Sequence, residues 1–315
     1  MSTATALFPR PYASPADRAA VLDLLRVGLR ANEARQSGGY YVHPGDVNGW
    51  LDYLNQDDSP QAMLTLWEQG GLLVAWSLLS PKFGAADVFV HPDHYGSHAI
   101  AAIRAWTMDR LRGLLPPGEP LQTVWVAEDD AVLRGLLAAQ GFAPLVGAGL
   151  IELRCLLAAA RPAIPAPPGF ALRQLRGEVE LESRAAASHA AFGSGQPLDA
   201  YAERYRRFMH APAYGAAADL VAVETATGAI AAFALAWPDA ASGLGLFEPL
   251  GTNPAYRRRG LARALLAYGL DQLQTFELRA ARINVEADNE TALALYHSLG
   301  FQRVRRLLVY QIPPN

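Results

Sequence analysis

Two stretches of this chain repeat each other, and that repeat limits the fold more than any compositional figure. Val126-Ala127-Glu128-Asp129-Asp130 leads into an apolar helical stretch to Gln140 and then Gly141-Phe142. Val285-Glu286-Ala287-Asp288-Asn289 leads into a similar stretch to Leu299 and then Gly300-Phe301. The matching positions stand 159 residues apart throughout. Upstream, Val90-His91-Pro92-Asp93 and Thr252-Asn253-Pro254-Ala255 stand 162 apart. A period this long means a duplicated domain rather than a solenoid unit, and 315 residues leave room for two domains.

The segment Ala158–Gly169 carries four prolines and suits a semi-rigid linker. The expected division is therefore 1–158, a linker over 159–168, and 169–315. Each half reads as strand, helix, helix, several strands, helix, strand, helix, strands. In the second half strands are expected at 170–175, 219–224, 229–237, 243–251, 282–287 and 303–312. Helices are expected at 178–191, 198–210, 262–276 and from 289 to 299. Asp288 or Asn289 can cap the last helix, with Gly300 at its left-handed end and Phe301 making the hydrophobic contact beyond it. Asp130, Gly141 and Phe142 do the same in the first half. The fold class is α+β, helices packing on one largely antiparallel sheet.

Composition excludes several classes. Half the residues (51%) are hydrophobic and 18% are charged, as in a globular chain with real cores. A net charge of -3 argues against general nucleic-acid binding. Met1–Arg18 has no apolar core for a signal peptide, and no apolar run approaches a membrane span. Cys155 is alone, so neither an intrachain disulfide nor a cysteine zinc site is available. A cytoplasmic location is expected.

One loop points to a ligand. Gly251-Thr-Asn-Pro-Ala-Tyr-Arg-Arg-Arg-Gly-Leu-Ala262 follows a strand and opens a helix. Arg257, Arg258 and Arg259 thus sit at a helix N-terminus, the wrong sign for its dipole by roughly 0.3–1 kcal/mol per charge. An anion docked on the free N–H groups there would reverse that, and a phosphate group is the natural candidate. A solvated basic turn is the plain alternative. No Gly-x4-Gly-Lys-Ser/Thr is present, and Gly243-x-Gly245 continues to Glu248, so the other phosphate motifs fail.

Arg257-x-x-Gly260-x-Ala262, with Asn289-x-x-Ala292-x-x-Leu295-Tyr296-x-x-x-Gly300-Phe301, resembles the GCN5-related N-acetyltransferase (GNAT) family. The likeness covers about 150 residues, and the first half resembles the same fold. The whole chain is similar to the tandem type, of which mycothiol synthase is one example, although nothing in the residues selects that substrate. The resemblance implies acetyl-CoA as acyl donor, with no metal. Backbone at Arg258 to Ala262 would cradle the pyrophosphate, Gly260 giving it room and Ala262 keeping the first turn small. Leu250, Gly251 and Thr252 would pair with the pantetheine arm where the sheet opens, and Pro249 fits such a split or an ordinary edge. Tyr296 would protonate the departing thiolate, or else fill the core with a bonded tip. Asn289 would cap its helix and could touch pantetheine.

Glu248 shares a strand face with Leu246 and Leu250. Desolvation there would raise its pKa and suit a general base, whereas a nearby arginine would make it a plain ion pair. Glu286 is the less favoured substitute. His189, His210, Phe192, Tyr201 and Tyr205 lie on or near helices that would border the acceptor; any could line that pocket, and packing explains each better than a catalytic role does. At the repeat positions Tyr95 replaces Arg257, His98 replaces Gly260, Ile100 replaces Ala262 and Leu137 replaces Tyr296. The first half is therefore expected to be catalytically inert. His91, His94 and His98 have loop-like spacing that does not suit a metal. The expected activity is acetyl transfer to a primary amine, small-molecule or peptide, in a ternary complex. The alternative is a non-catalytic acyl-CoA-binding module. No nucleic-acid or membrane partner is expected, and a homodimer is left open.

Overall fold

The computed structural model describes residues 7–35, 39–158, 161 and 163–312, without the side chains of Arg35 and His98. The start of the expected leaderless N-terminus, linker residues 159, 160 and 162, and the His98 side chain lie outside that description. In chain order the strands are β1 (Pro9–Pro11), β2 (Leu64–Gln69), β3 (Leu72–Ser80), β4 (Ala85–Val90), β5 (Leu121–Ala127), β6 (Ala143–Pro144) and β7 (Leu150–Leu156). The second half adds β8 (Phe170–Gln174), β9 (Ala218–Glu224), β10 (Ile230–Asp239), β11 (Leu244–Thr252), β12 (Ala280–Glu286) and β13 (Gln302–Ile312). Helices in the first half are α1 (Pro15–Arg35), α2 (Pro44–Gly49), α3 (Pro60–Met63), α4 (His98–Arg112) and α5 (Ala131–Ala139). The second half has α6 (Leu181–Phe192), α7 (Leu198–Met209), α8 (Leu261–Gln274) and α9 (Glu290–His297).

The strands join one mixed, largely antiparallel sheet in the order β1-β2-β3-β4-β5-β13-β7-β12-β11-β10-β9-β8. Each half's last long strand crosses over. β13 lies beside β5, with Leu307 opposite Ala127, and β7 lies beside β12, with Leu153 opposite Ile283. The division of the sequence at the proline-rich segment is therefore not a division of the sheet. Cores are shared as well: Leu244, Ala280 and Leu307 pack in one cluster with Leu25, Tyr41 and Trp76.

Charged ties cross the same boundary. Arg26 reaches Asp239 at 2.8 Å, and Arg282 Nη1 donates to the Tyr41 carbonyl at 3.0 Å. Gly45 in α2 abuts Trp237 so closely that a Cβ would stand 2.6 Å from the ring. At the junction of the exchanged strands, buried Glu152 faces Arg154 at 2.7 Å and Arg282 and Arg305 at 3.7 Å each.

The expected helix ends are present in both halves. Asp130 Oδ1 accepts from Leu133 N at 2.9 Å, and Asn289 Oδ1 from Ala292 N at 3.1 Å. Gly141 and Gly300 take φ of 82° and 87°. Phe142 N and Phe301 N close back onto Leu137 and Tyr296 carbonyls at 2.9 and 3.1 Å. These small devices fix where the side chain at 137 or 296 points.

Candidate functional site

The sheet opens in the second half. β11 pairs with β12 in parallel only from Leu244–Ala280 to Leu246–Arg282, yet β11 runs on to Thr252 and β12 to Glu286. Pro249 lies beyond the last pair, where its missing N–H costs no ladder bond. On the other side, the β10–β11 register shifts between Ala234–Leu250 and Ala236–Phe247. The extra residue falls on β11 at Glu248 and Pro249, and such a bulge re-aims the side chain it carries. Trp237 Nε1 holds the bulge by donating to the Glu248 carbonyl at 2.8 Å.

A cleft of about 480 Å³ occupies the opening. Leu250, Gly251 and Thr252 form one wall, and Arg257, Arg258, Gly260, Leu261 and Ala262 form its mouth. Asn289 and Tyr296 of the α9 segment face them. The structure thus brings together the expected residues except two. Arg259 stacks over Tyr256, 5.3 Å from the ring centroid, and does not line the cleft. Glu248 lines a neighbouring cavity instead.

The local backbone is built for an open helix end. Gly260 has φ of 76° and precedes α8 with no side-chain cap, so the first N–H groups of a 14-residue helix remain for a ligand. A Cβ there would meet nothing closer than 3.9 Å, so the glycine answers its left-handed φ rather than a protein clash. Arg258 takes φ of 61°, a conformation that strains a non-glycine residue by on the order of 1–2 kcal/mol. Arg257, expected to supply charge to phosphates, lines the cleft and has protein partners as well. Its Nη2 donates to the Ala191 carbonyl at 3.2 Å and its Nε to Thr252 at 3.4 Å, tying α6 to the end of β11. Gly251 is obligatory, since a Cβ would stand 2.4 Å from Phe233.

The second cavity, about 400 Å³, lies between the two sequence halves. Phe192 lines both spaces, so β11 carries Glu248 and Pro249 in one and Leu250 and Gly251 in the other. Tyr201 and Tyr205 of α7, also buried in a core cluster as the packing explanation has them, line the cavity. His189 and His210 do not; His189 bonds the Gln196 carbonyl at 2.8 Å, and His210 pairs with Glu178. Missed from the sequence were Asp46, Trp50 and Tyr53 of the first half. Trp50–Leu54 forms a π-helical turn, a feature common at functional sites, but no local pattern marks which distant strand it meets.

The side chain that acts on the Glu248 carboxyl is Asp46, not an arginine. Burial, with the charge of Glu248 second, holds Asp46 well above the usual carboxylate range. Burial also raises Glu248, against a bond from Asp46 that pulls the other way. Tyr296 is pushed up to about 12, first by burial and then by the charge of Glu248, so it stays protonated at neutral pH. The carboxyl and the phenol therefore feel each other across the mouth of the opening.

In the first half the equivalent loop has the same frame. Pro92–His94 and Pro254–Tyr256 are both single 3₁₀ turns, capped by His91 and Asn253. Gly96, with φ of 83°, stands where Arg258 does. Tyr95, however, turns inward and its hydroxyl bonds the Asp130 cap, while Leu137 is fully buried at the Tyr296 position. Among the described residues no cluster of metal-binding side chains forms, and no helix is long and apolar enough to cross a membrane.

Residues 186–301 match the family model described as acetyltransferase (GNAT) family. The chain belongs to the GNAT acetyltransferases and is an N-acetyltransferase of their tandem type. Its curated relatives include a mycothiol acetyltransferase of Tsukamurella paurometabola, 30% identical over 237 residues that cover 72% of this chain and 77% of that one. Another, from Clavibacter sepedonicus, is 32% identical over 294 residues, 82% of this chain and 90% of that one. In fold the chain is similar to a tandem GNAT protein from the clavulanic acid biosynthesis pathway, at 19% identity, TM-score 0.70 and coverage of 98% and 99%. A GCN5-related N-acetyltransferase from Sphaerobacter thermophilus aligns at TM-score 0.67 and 20% identity, over 98% of this chain and 96% of that one.

Proposed function

We propose that the chain transfers acetyl from acetyl-CoA to a primary amine by direct attack in a ternary complex, in the cytoplasm. The observation that carries this reading is the single strand β11, which presents Glu248 to one space and the Leu250–Thr252 backbone to the other. The donor lies in the cleft, its pyrophosphate on the uncapped start of α8 and its arm along Leu250–Thr252. Gly260, Leu261, Ala262 and Asn289 line that path, Arg257 and Arg258 make its mouth positive, and Arg259 adds its charge from outside the cleft, over Tyr256. The amine enters from the inter-half cavity.

The amine nitrogen attacks the acetyl carbonyl, and Glu248 takes its N–H proton. The C–N bond forms, the C–S bond breaks with its electron pair on sulfur, and Tyr296 supplies the proton that makes the free thiol. A backbone N–H near Leu250 to Thr252 steadies the oxyanion. The segment 1–158 is the non-catalytic partner of the catalytic 169–315, joined by the 159–168 linker. The Tyr95–Asp130 bond and the buried Leu137 support that assignment.

Coenzyme A should raise the melting temperature of the wild type, since a ligand at 100 times its Kd adds about 2.7 kcal/mol. The double variant Arg257→Glu/Gly260→Trp should lose that shift, and Tyr95→Phe or His98→Ala should keep it. A shift that survives the double variant and disappears in the first-half variants places the donor in the wrong half. Release of coenzyme A thiol against an amine panel then decides between an enzyme and a silent acyl-CoA-binding module. The mycothiol acetyltransferase relatives make a mycothiol-type amine one member of that panel.

A further inference from the structure

Two guanidinium groups in the wall of the inter-half cavity keep nitrogens that the protein does not use. Arg184 of α6 is fully buried, and its Nε donates to Asp219 Oδ1 at 2.9 Å. Its Nη1 and Nη2 are buried with no hydrogen-bond partner. Arg204 of α7 donates from Nη2 to the Tyr53 hydroxyl at 3.3 Å, and its buried Nε has no partner. Both residues line the cavity. They stand along one wall. Arg184 lies over Tyr205 and Arg204 over Tyr53, each 4.7 Å from the ring centroid, and those two rings meet edge to face at 5.9 Å.

Charge on that wall does not balance. Asp219 answers Arg184 and also accepts from the Tyr205 and Tyr214 hydroxyls. Among the described residues Arg204 has ring and hydroxyl neighbours but no carboxylate partner. Two cations thus share one acid, and three buried nitrogens go unused. Such groups are costly unless a ligand completes them. A carboxylate offers a guanidinium edge two acceptor oxygens and the missing charge, whereas a hydroxyl offers one oxygen and no charge. Glu248 lies across the sheet from this wall. Asp219 pairs with Leu235, and Leu235 sits at the bulge that carries Glu248. Asp219 and Glu248 are therefore two strand spacings apart, about 10 Å at the backbone. With a hydrogen bond at each end, a few ångströms remain between the ligand's own charges, the span from ammonium to carboxylate in a short amino acid. A cavity of about 400 Å³ with ring walls holds one such molecule.

We propose that the acceptor is an amino acid, whose carboxylate lies on Arg184 and Arg204 while its amine faces Glu248. The amine end rests on the acetyltransferase reading, but the carboxylate end concerns binding and is tested without turnover. Arg184 and Arg204 are then specificity-determining residues of the acceptor cavity. The first half contributes Tyr53, which holds Arg204 in the wall.

Calorimetry on the full chain with coenzyme A present can compare two acids with their alcohols, phenylalanine with phenylalaninol and 4-aminobutyrate with 4-amino-1-butanol. At least one acid should bind about tenfold or more tightly than its alcohol. Arg204→Gln should cut that preference below about threefold, with the alcohol and acetyl-CoA affinities each within about threefold of the wild type. Arg184→Lys keeps a charge beside Asp219 but loses the fork, and should cut the preference in the same way. Arg204 is only partly buried, so Arg204→Gln decides alone where Arg184→Lys does not fold. Alcohols that bind as tightly as the acids, no binding of either acid, or a preference that survives Arg204→Gln overturns the proposal. Acid binding that Arg204→Gln abolishes, without release of coenzyme A thiol, sinks the acetyltransferase reading alone. Thiol release that is indifferent to the carboxylate sinks this proposal alone.

Discussion

Glu248→Gln should lower turnover by about 100-fold to 10,000-fold and leave acetyl-CoA binding within about threefold of the wild type. The separation follows from where β11 runs. Glu248 lines the inter-half cavity, whereas Leu250 to Thr252 line the cleft, so on the proposed reading the substitution removes a proton acceptor without touching the coenzyme path. The pH profile carries the same information. A base must be deprotonated, and burial raises Glu248 above the ordinary carboxylate value. Activity should therefore fall as pH drops through a point above that value, not at it. No loss from phenol ionisation is expected until pH approaches about 12, where Tyr296 titrates. Glu248→Gln should erase the acidic limb in whatever activity is left. A variant that keeps its rate and its acidic limb moves the base elsewhere, with Glu286 the next to test.

The largest loss of stability is expected from Glu152→Ala. Glu152 is 1% exposed and stands among Arg154, Arg282 and Arg305 at the seam where the exchanged strands lie side by side. Arg282 is fully buried beside them, depressed to about 9 by that burial and then by Arg305. Arg154 and Arg305 keep Glu33 and Asp129 as second partners at 3.4 and 3.8 Å, but removing Glu152 leaves Arg282 buried without a counter-ion among the described residues, which costs about 3–5 kcal/mol. Chemical denaturation should show that loss as a lower midpoint, in a single transition for both sequence halves because β7 and β13 are shared between them. A change under about 1 kcal/mol, or two separated transitions in the wild type, runs against a sheet that binds the halves into one body.

How much of the fold and site is legible in the sequence depends on range. The helix ends at Asn289 and Gly300, the strand of Glu248 and the arginine loop follow from local capping and periodicity, and the structure has them where expected. The split at Pro249 was legible because a proline cannot continue a ladder. The strand exchange was not, because β7 and β13 carry apolar patterns that suit either half, and pairing between distant strands leaves no local mark. Asp46 was invisible for the same reason: it sits in the first half next to a helix cap and meets Glu248 only through the folded interface. Arg257 shows the limit within a recognised motif. Its charge was legible, but its bonds to Ala191 and Thr252 depend on how α6 packs.

The proton supplied to the leaving thiolate separates a working acetyltransferase from a cleft that only holds coenzyme A. Tyr296→Phe keeps the ring that packs on Phe301, 6.0 Å between centroids, and removes only the hydroxyl. With kcat measured on a turned-over amine and acetyl-CoA Kd measured by calorimetry on the same preparation, kcat should fall by about 100-fold or more while Kd moves by less than about threefold. Equal losses in both, or an unchanged kcat, would mean that Tyr296 is core packing and that the thiolate leaves without it.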